Sequence, residues 1–180
     1  MEIYGLIGKK LEHSFSPEYF RNKFRELNLE SEYLKFELDD IADFPDFIKR
    51  QNQLKGLNVT VPYKETIIPF LDELDPVAKA IGAVNTVKII KNGQEIKLVG
   101  YNTDTIGFRM ALSPMITGNS NINALILGTG GSSKAVGYTL TQLGINFQVV
   151  SRDTRKSGMT YESLKQKILK DHLLIINTTP

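Results

Sequence analysis

Cysteine is absent from all 180 residues. That excludes disulfide scaffolds, thiol nucleophiles, zinc–cysteine sites and iron–sulfur clusters. Histidine is scarce too. His13 and His172 stand far apart in sequence, which argues against a histidine-built metal site. No sign of charge dominates: Lys and Arg number 22 against 20 Asp and Glu, a net +2. So small an excess gives no broad field toward nucleic acid or a membrane surface. No apolar run approaches the roughly 20 residues a membrane helix needs. The opening Met1-Glu2-Ile3-Tyr4-Gly5 carries neither a basic nor an apolar leader segment, so the expected compartment is the cytoplasm. Repeats and low-complexity stretches are missing as well. What remains is globular composition, 41% hydrophobic and 23% charged, at a length suited to one or two domains with a sizeable core.

The first hundred residues alternate between strand and helix patterns. Ile3–Ile7 is a short apolar run. Ser16-Pro17 predicts a helix start, with Ser16 as N-cap and Pro17 in the first turn. Phe20, Phe24 and Leu27 follow at the spacing of one buried helix face. Tyr33–Leu38 alternates like a strand. Ile41 to Arg50 reads as a helix with Phe44, Phe47 and Ile48 on one face. Leu57–Val61 is a strand stopped by Pro62, and Asp75-Pro76 opens another helix. Val84–Ile90 and Ile96–Tyr101 flank Asn92-Gly93, a two-residue hairpin signal.

The pattern changes after about Asn102. Thr105–Leu112 reads as a connecting helix and 118–121 as a polar loop. Ala124–Leu127 is a continuous apolar run, as expected of a strand buried on both faces. Val136, Leu140 and Leu143 mark a helix that ends at Gly144. Phe147–Val150, Tyr161–Leu169 and Leu173–Ile176 then read as strand, helix and strand. Strand–helix–strand–helix–strand is half of a doubly wound dinucleotide fold.

Five places could carry chemistry. Gly128-Thr129-Gly130-Gly131-Ser132-Ser133 lies between a buried strand and an amphipathic helix. A glycine loop there turns tightly, lets backbone approach a pyrophosphate and aims helix N–H groups at it. A ligand-free βα turn is the bland alternative. About 20 residues on, Ser151-Arg152-Asp153-Thr154-Arg155-Lys156 stands where an NAD enzyme carries an acidic residue. Its cations suit a 2′-phosphate, Asp153 could accept a ribose hydroxyl, and a solvated basic turn is also open. Ser14 and Ser16 could bind a small carboxylate or merely cap a helix. Strand alternation puts Asn58 and Thr60 on one side, with Lys64 just beyond, either functional or a solvated surface lysine. Asn85-Thr86 and Asn102-Thr103-Asp104 could be turn and cap residues, Asp104 serving as N-cap.

Taken together, the motifs Ser14-x-Ser16-Pro17, Asn58-x-Thr60-x-x-x-Lys64-Glu65, Asn85-Thr86, Asn102-x-Asp104, Gly128-x-Gly130-Gly131 and Asn177-Thr178-Thr179-Pro180 resemble the shikimate dehydrogenases in order and spacing. The resemblance implies reversible NADPH-dependent reduction of 3-dehydroshikimate to shikimate, in aromatic amino-acid biosynthesis, with no metal. It implies substrate contacts from Ser14, Ser16, Asn58, Thr60, Lys64, Asn85 and Asp104, with Lys64 as catalytic acid/base and Asp104 beside it. It implies cofactor contacts from Gly128, Thr129, Gly130, Gly131, Ser132, Ser151, Arg152, Asp153, Lys156 and Thr178. Two departures stand out. Ser132-Ser133-Lys134 replaces an Ala-rich helix start, and of the family's Asn-Arg-Thr clamp only Arg152 is kept.

The expected architecture is α/β: a substrate-binding domain over 1–103, then a partial Rossmann-like NADP-binding domain over 104–180, with the active site in the cleft between them. The family's remaining cofactor-domain strands and returning C-terminal helix are missing, so a C-terminally truncated chain is expected. The partners are a small-molecule substrate, neither nucleic acid nor membrane, with a homodimer open. A quinate/shikimate dehydrogenase using NAD(P) and a non-catalytic shikimate- or nucleotide-binding fragment are the alternatives. Ser14-x-Ser16 and Asn85-Thr86 argue against a folate dehydrogenase of similar architecture.

Overall fold

The computed structural model describes residues 1–118, 121–153, 155–156 and 159–179. Asn119 and Ser120 of the expected polar loop, Thr154 of the basic turn and Pro180 of the terminal motif lie outside the described residues. The chain divides into two compact units, Met1–Asn102 and Thr103–Pro180.

The first unit runs β1 (Glu2–Gly8), α1 (Ser16–Glu26), β2 (Ser31–Glu37), α2 (Phe44–Arg50), β3 (Leu54–Val59), α3 (Tyr63–Thr66), β4 (Glu73–Leu74), α4 (Pro76–Ile81), β5 (Thr86–Asn92) and β6 (Glu95–Tyr101). The strands form one mixed sheet in the order β2-β1-β3-β5-β6-β4. β2 and β3 run parallel to β1, whereas β5 is antiparallel to β3. Strand alternation gives the sheet two apolar faces. On one, Ile7, Leu57 and Val59 meet Phe44, Phe47 and Ile48 of α2, the face its spacing predicts. On the other, Leu6, Leu11 and Tyr33 meet Phe20 and Phe24 of α1. Burying a side chain as large as Phe44 contributes on the order of 2 kcal/mol, and an exposed ion pair such as Lys49–Asp46 about 0–1. The apolar faces therefore decide the packing.

Several local expectations shift. The cap position of α1 is Phe15, and Ser16 is already its first helical residue. The helix ends at Glu26, so Leu27 leaves the buried stripe and is 55% exposed. By contrast Asp75 does cap α4, accepting from Val77 N at 2.9 Å, and Pro76 follows as expected. The β5–β6 turn moves by one residue. Asn92 pairs with Glu95, so Gly93-Gln94 make the turn, with a positive φ of 63° at Gly93. Positive φ at the first central residue is the pattern of a II′ turn.

The second unit runs α5 (Asp104–Ile116), β7 (Asn123–Leu127), α6 (Gly131–Gln142), β8 (Asn146–Ser151), β9 (Met159–Thr160), α7 (Gln166–Asp171) and β10 (Leu174–Asn177). Its parallel sheet has the order β10-β7-β8-β9. Ala124, Leu125 and Ile126 of central β7 are fully buried, as a strand covered on both faces must be. α5 contributes Leu112, with Phe108 and Ile116, to the core built on Val136 and Leu140 of α6. Thus α5 packs as part of this unit. Its cap position is Thr103, and Asp104 is its first helical residue rather than its N-cap. The helix expected over 161–169 is divided: a 3₁₀ turn at Tyr161–Ser163, non-helical Leu164 and extended Lys165, then α7. Two-residue β9 precedes it and makes β10 the fourth strand of the unit, on the opposite side of β7 from β8.

Candidate active site

Strand order fixes where polar groups gather in each unit. In the first, the chain moves from β1 to β2 on one side and later to β3 on the other. Such a reversal leaves a crevice beyond the carboxyl ends of the two central strands. The loop after β1 carries Ser14 and leads into Ser16. The segment after β3 carries Thr60 and Lys64. Because β5 is antiparallel to β3, Asn85, just before β5, comes to the same end. Six of the candidate residues thus share one end of the sheet; Asn58, the last but one of β3, is the sixth.

Close backbone approach holds these segments. Thr60 N donates to Ile7 O at 2.9 Å, and a Cβ on Gly8 would meet Thr60 Cγ2 at 2.7 Å. Thr60 lies past the end of β3, so strand alternation with Asn58 does not govern it. The Val61–Pro62 peptide is cis. Tyr63 then anchors α3: it is buried and donates to Leu38 O at 2.5 Å. Burial first, then Asp40, Asp39 and Asp43, push its phenol above the ordinary range. Lys64 O accepts from Val84 N at 2.7 Å, so the backbone of the half-buried lysine is tied to the segment before β5. Asn85 is 8% exposed, its backbone bonded to Val59 N at 2.8 Å and Tyr101 O at 3.0 Å. Asn102, 5% exposed, donates to Ala83 O at 2.9 Å.

Side chains add a chain of hydrogen bonds. Tyr33 Oη donates to Asn58 Oδ1 at 2.8 Å, Asn58 Nδ2 to Thr86 Oγ1 at 3.3 Å, and Thr86 Oγ1 to Asn85 Oδ1 at 3.0 Å. Burial pushes the Tyr33 phenol up to about 12, with the Ser16 side chain acting in the lowering direction. Tyr33 and Thr86 were not among the expected substrate contacts. Period-two alternation marks Tyr33 only as a strand residue, and its polar partner is 25 positions away.

The second unit has its own reversal, between β7 and β10. Gly128 follows β7 and Thr178 follows β10. Thr178 bonds Leu127 O through both N, at 2.9 Å, and Oγ1, at 2.6 Å. Gly128 has φ 114°, and a Cβ there would meet Thr178 Oγ1 at 2.7 Å, so only glycine fits. Buried Ser133 donates to Gly128 O at 2.7 Å and ties the loop to α6. At Gly130 an added Cβ would meet nothing within 4 Å. That open room lies at the N-terminal end of twelve-residue α6, with Thr129, Gly131 and Ser132 around it. It is a fitting cradle for a pyrophosphate, whose charge the helix N–H groups favour.

At the end of β8, buried Ser151 accepts from Asp153 N at 3.1 Å. Asp153 receives Arg155 through Nε at 3.0 Å and Nη2 at 2.9 Å. Those bonds hold the Asp153 carboxyl below its usual range. The carboxylate that could have taken a ribose hydroxyl is thus engaged by a guanidinium, while Arg152 and Lys156 are exposed. The turn offers cations, as a 2′-phosphate requires. Asp104 begins α5 and is half-buried.

Comparisons with known proteins point to one family. The family profile described as Shikimate dehydrogenase substrate binding domain matches residues 6–87. The chain is similar to the shikimate dehydrogenase (NADP(+)) of Clostridium botulinum strain Hall, 42% identical over 191 residues, which span 100% of this chain and 72% of that protein. Among solved structures it resembles shikimate dehydrogenase 1 from Peptoclostridium difficile, with TM-score 0.85 and 40% identity over 100% of this chain and 67% of that one. It also resembles the Thermus thermophilus shikimate 5-dehydrogenase in complex with NADP(H) and shikimate, with TM-score 0.82 and 29% identity over 99% of this chain and 69% of that one.

Proposed function

The chain belongs to the shikimate dehydrogenase family and is an NADP-linked oxidoreductase acting on a CH–OH group; we propose how its residues divide the work of interconverting 3-dehydroshikimate and shikimate, a step of aromatic amino-acid biosynthesis. The gathering of Ser14, Ser16, Asn58, Thr60, Lys64 and Asn85 at one end of the first sheet is the observation that carries the assignment. Residues 1–103 are the substrate-binding domain and 104–180 the NADP-binding domain. Ser14 and Ser16 hydrogen-bond the substrate carboxylate. Asn58, Thr60, Asn85 and Asp104 hold the ring hydroxyls. Gly128 to Ser132 and Thr178 take the pyrophosphate, while Ser151, Arg152, Asp153 and Lys156 form the turn toward the adenosine phosphate.

When bound, NADP(H) supplies or accepts the hydride. The chain moves the proton. Reduction of the carbonyl builds negative charge on its oxygen, and the Lys64 ammonium stabilises that charge and delivers the proton. In the oxidative direction Lys64 takes the proton from the hydroxyl. Asp104 orients the hydroxyl as an acceptor. The working compartment is the cytoplasm; among the described residues no helix is long and apolar enough to cross a membrane.

The test is shikimate-dependent reduction of NADP⁺, run beside NAD⁺ and quinate, with Lys64→Ala as control. Turnover should need shikimate and prefer NADP⁺. Lys64→Ala should lower kcat by about 10²–10⁴-fold and leave the shikimate KM within a few-fold. Near-normal turnover in the variant would remove Lys64 from the chemistry, and a preference for quinate would move the assignment to that substrate.

A further inference from the structure

At the turn after β8 one charge runs against the rest. Gly128 N donates to Val150 O at 2.9 Å, so this turn begins beside the glycine loop. A bare carboxylate at that place accepts the ribose hydroxyls of NAD and repels the 2′-phosphate of NADP. Asp153 stands there, and three N–H groups of Arg155 close on it. The backbone N and Nε donate to Oδ1, each at 3.0 Å, and Nη2 donates to Oδ2 at 2.9 Å. Behind them Asp153 N is held by the hydroxyl of buried Ser151 at 3.1 Å. A simple surface ion pair contributes little, but a planar fork on both oxygens, backed by a backbone bond, fixes one geometry. The two side chains are unequally exposed, 30% for Asp153 and 87% for Arg155, so the guanidinium is the outer member. It has five N–H donors and spends its Nε edge on the carboxylate. Both N–H groups of Nη1 and one of Nη2 remain on its other edge, the arrangement that meets a phosphate.

Resting on the NADP reading above, we propose that Arg155 sets the nucleotide specificity of this chain: its guanidinium masks Asp153 from the ribose and offers its outer edge to the 2′-phosphate, in the same turn as Arg152 and Lys156. Lys156 N donates to Asp153 O at 3.0 Å, which keeps that lysine within the turn. The pair thus converts a residue that would select NAD into part of a site that selects NADP. Without Arg155 an uncovered carboxylate stands between Arg152 and Lys156 in the chain.

Calorimetric titration of the chain with NADP⁺, NAD⁺, 2′,5′-ADP and 5′-AMP tests this without turnover. The wild type should bind NADP⁺ and 2′,5′-ADP more tightly than the counterparts that lack the 2′-phosphate. Arg155→Ala should weaken NADP⁺ about tenfold, through the lost bond to the phosphate and the uncovered carboxylate. It should tighten NAD⁺ about threefold, because Asp153 can then accept the ribose hydroxyls. The two mononucleotides should divide in the same way, a split that loosening of the turn would not produce. Adding Asp153→Ala to Arg155→Ala should cancel the gain for NAD⁺ and recover part of the loss for NADP⁺, because the two residues act on each other. Equal weakening of both dinucleotides in Arg155→Ala, an unchanged ratio, a wild type that favours NAD⁺, or a double variant that keeps the gain for NAD⁺ would overturn the proposal while leaving the reaction assigned above intact. A wild-type chain that binds neither dinucleotide would overturn the nucleotide reading on which the proposal rests.

Discussion

Gly128 shows how one residue can be dictated by its surroundings. It combines a φ of 114° with a Thr178 hydroxyl 2.7 Å from where a Cβ would sit. Gly128→Ala should cost about 1–3 kcal/mol in stability and weaken NADP⁺ binding, read by urea unfolding and by nucleotide titration. At Tyr33 the residue scale sets a pH dependence. A phenol ionises near 10 when free, and burial carries Tyr33 to about 12. Below pH 10 folded and unfolded chains hold the same proton. Between 10 and about 12 the unfolded chain has lost a proton that the folded chain keeps, so stability falls as pH rises. The urea midpoint should decline across that window, and less steeply in Tyr33→Phe. A decline that is just as steep in the variant would assign it to other groups. These residues were unequally visible in sequence. Gly128 announces itself by its motif. Tyr33 looks like any alternating strand residue, because its partner Asn58 is brought near only by the fold.

Cap and turn signals placed their elements at the signal or within one residue of it. Asp75-Pro76 starts α4 because the aspartate accepts from Val77 N at 2.9 Å and proline needs no N–H partner in the first turn. Asp75→Ala should lower stability by about 1 kcal/mol, measurable as a shift in urea midpoint at constant slope. Ser16-Pro17 carries a similar signature, yet there the helix begins one position earlier, at the cost of the expected cap. Asn92-Gly93 pointed to a turn, and pairing of Asn92 with Glu95 moved it one step. Short strands left less trace. Glu73–Leu74 and Met159–Thr160 are each two residues long, too short for any periodicity to show. Across 161–169 the apolar spacing suits a helix, but a capping arrangement of Thr160 with Ser163 closes a single turn, and the chain leaves it through non-helical Leu164 and extended Lys165. Local hydrogen bonding overrode the pattern there.

At the scale of the molecule, each unit has a sheet and a core of its own. Ile7, Phe44, Leu57 and Val87 belong to one, Ala124, Ile126 and Leu140 to the other. Residues 1–102 expressed alone should therefore fold, giving dispersed amide resonances and a single cooperative unfolding transition. A collapsed spectrum or a gradual transition would show that the first sheet needs the rest of the chain. The division into two α/β parts was legible because buried Ala124–Leu127 and its glycine loop differ so plainly from the alternating strands before them. The order of strands was not, since β10 reaches β7 from far along the chain, in the register Leu174 to Ala124.

That distance has a consequence for how the protein is made. Leu127 O receives both bonds from Thr178, and the shape of the turn at Gly128 depends on that hydroxyl. Synthesis proceeds from the N-terminus, so the glycine turn leaves the ribosome well before the threonine that braces it. Nucleotide capture is thereby a late event in the life of a nascent chain, and ribosome-bound chains of graded length should retain NADP⁺ only once Thr178 has emerged.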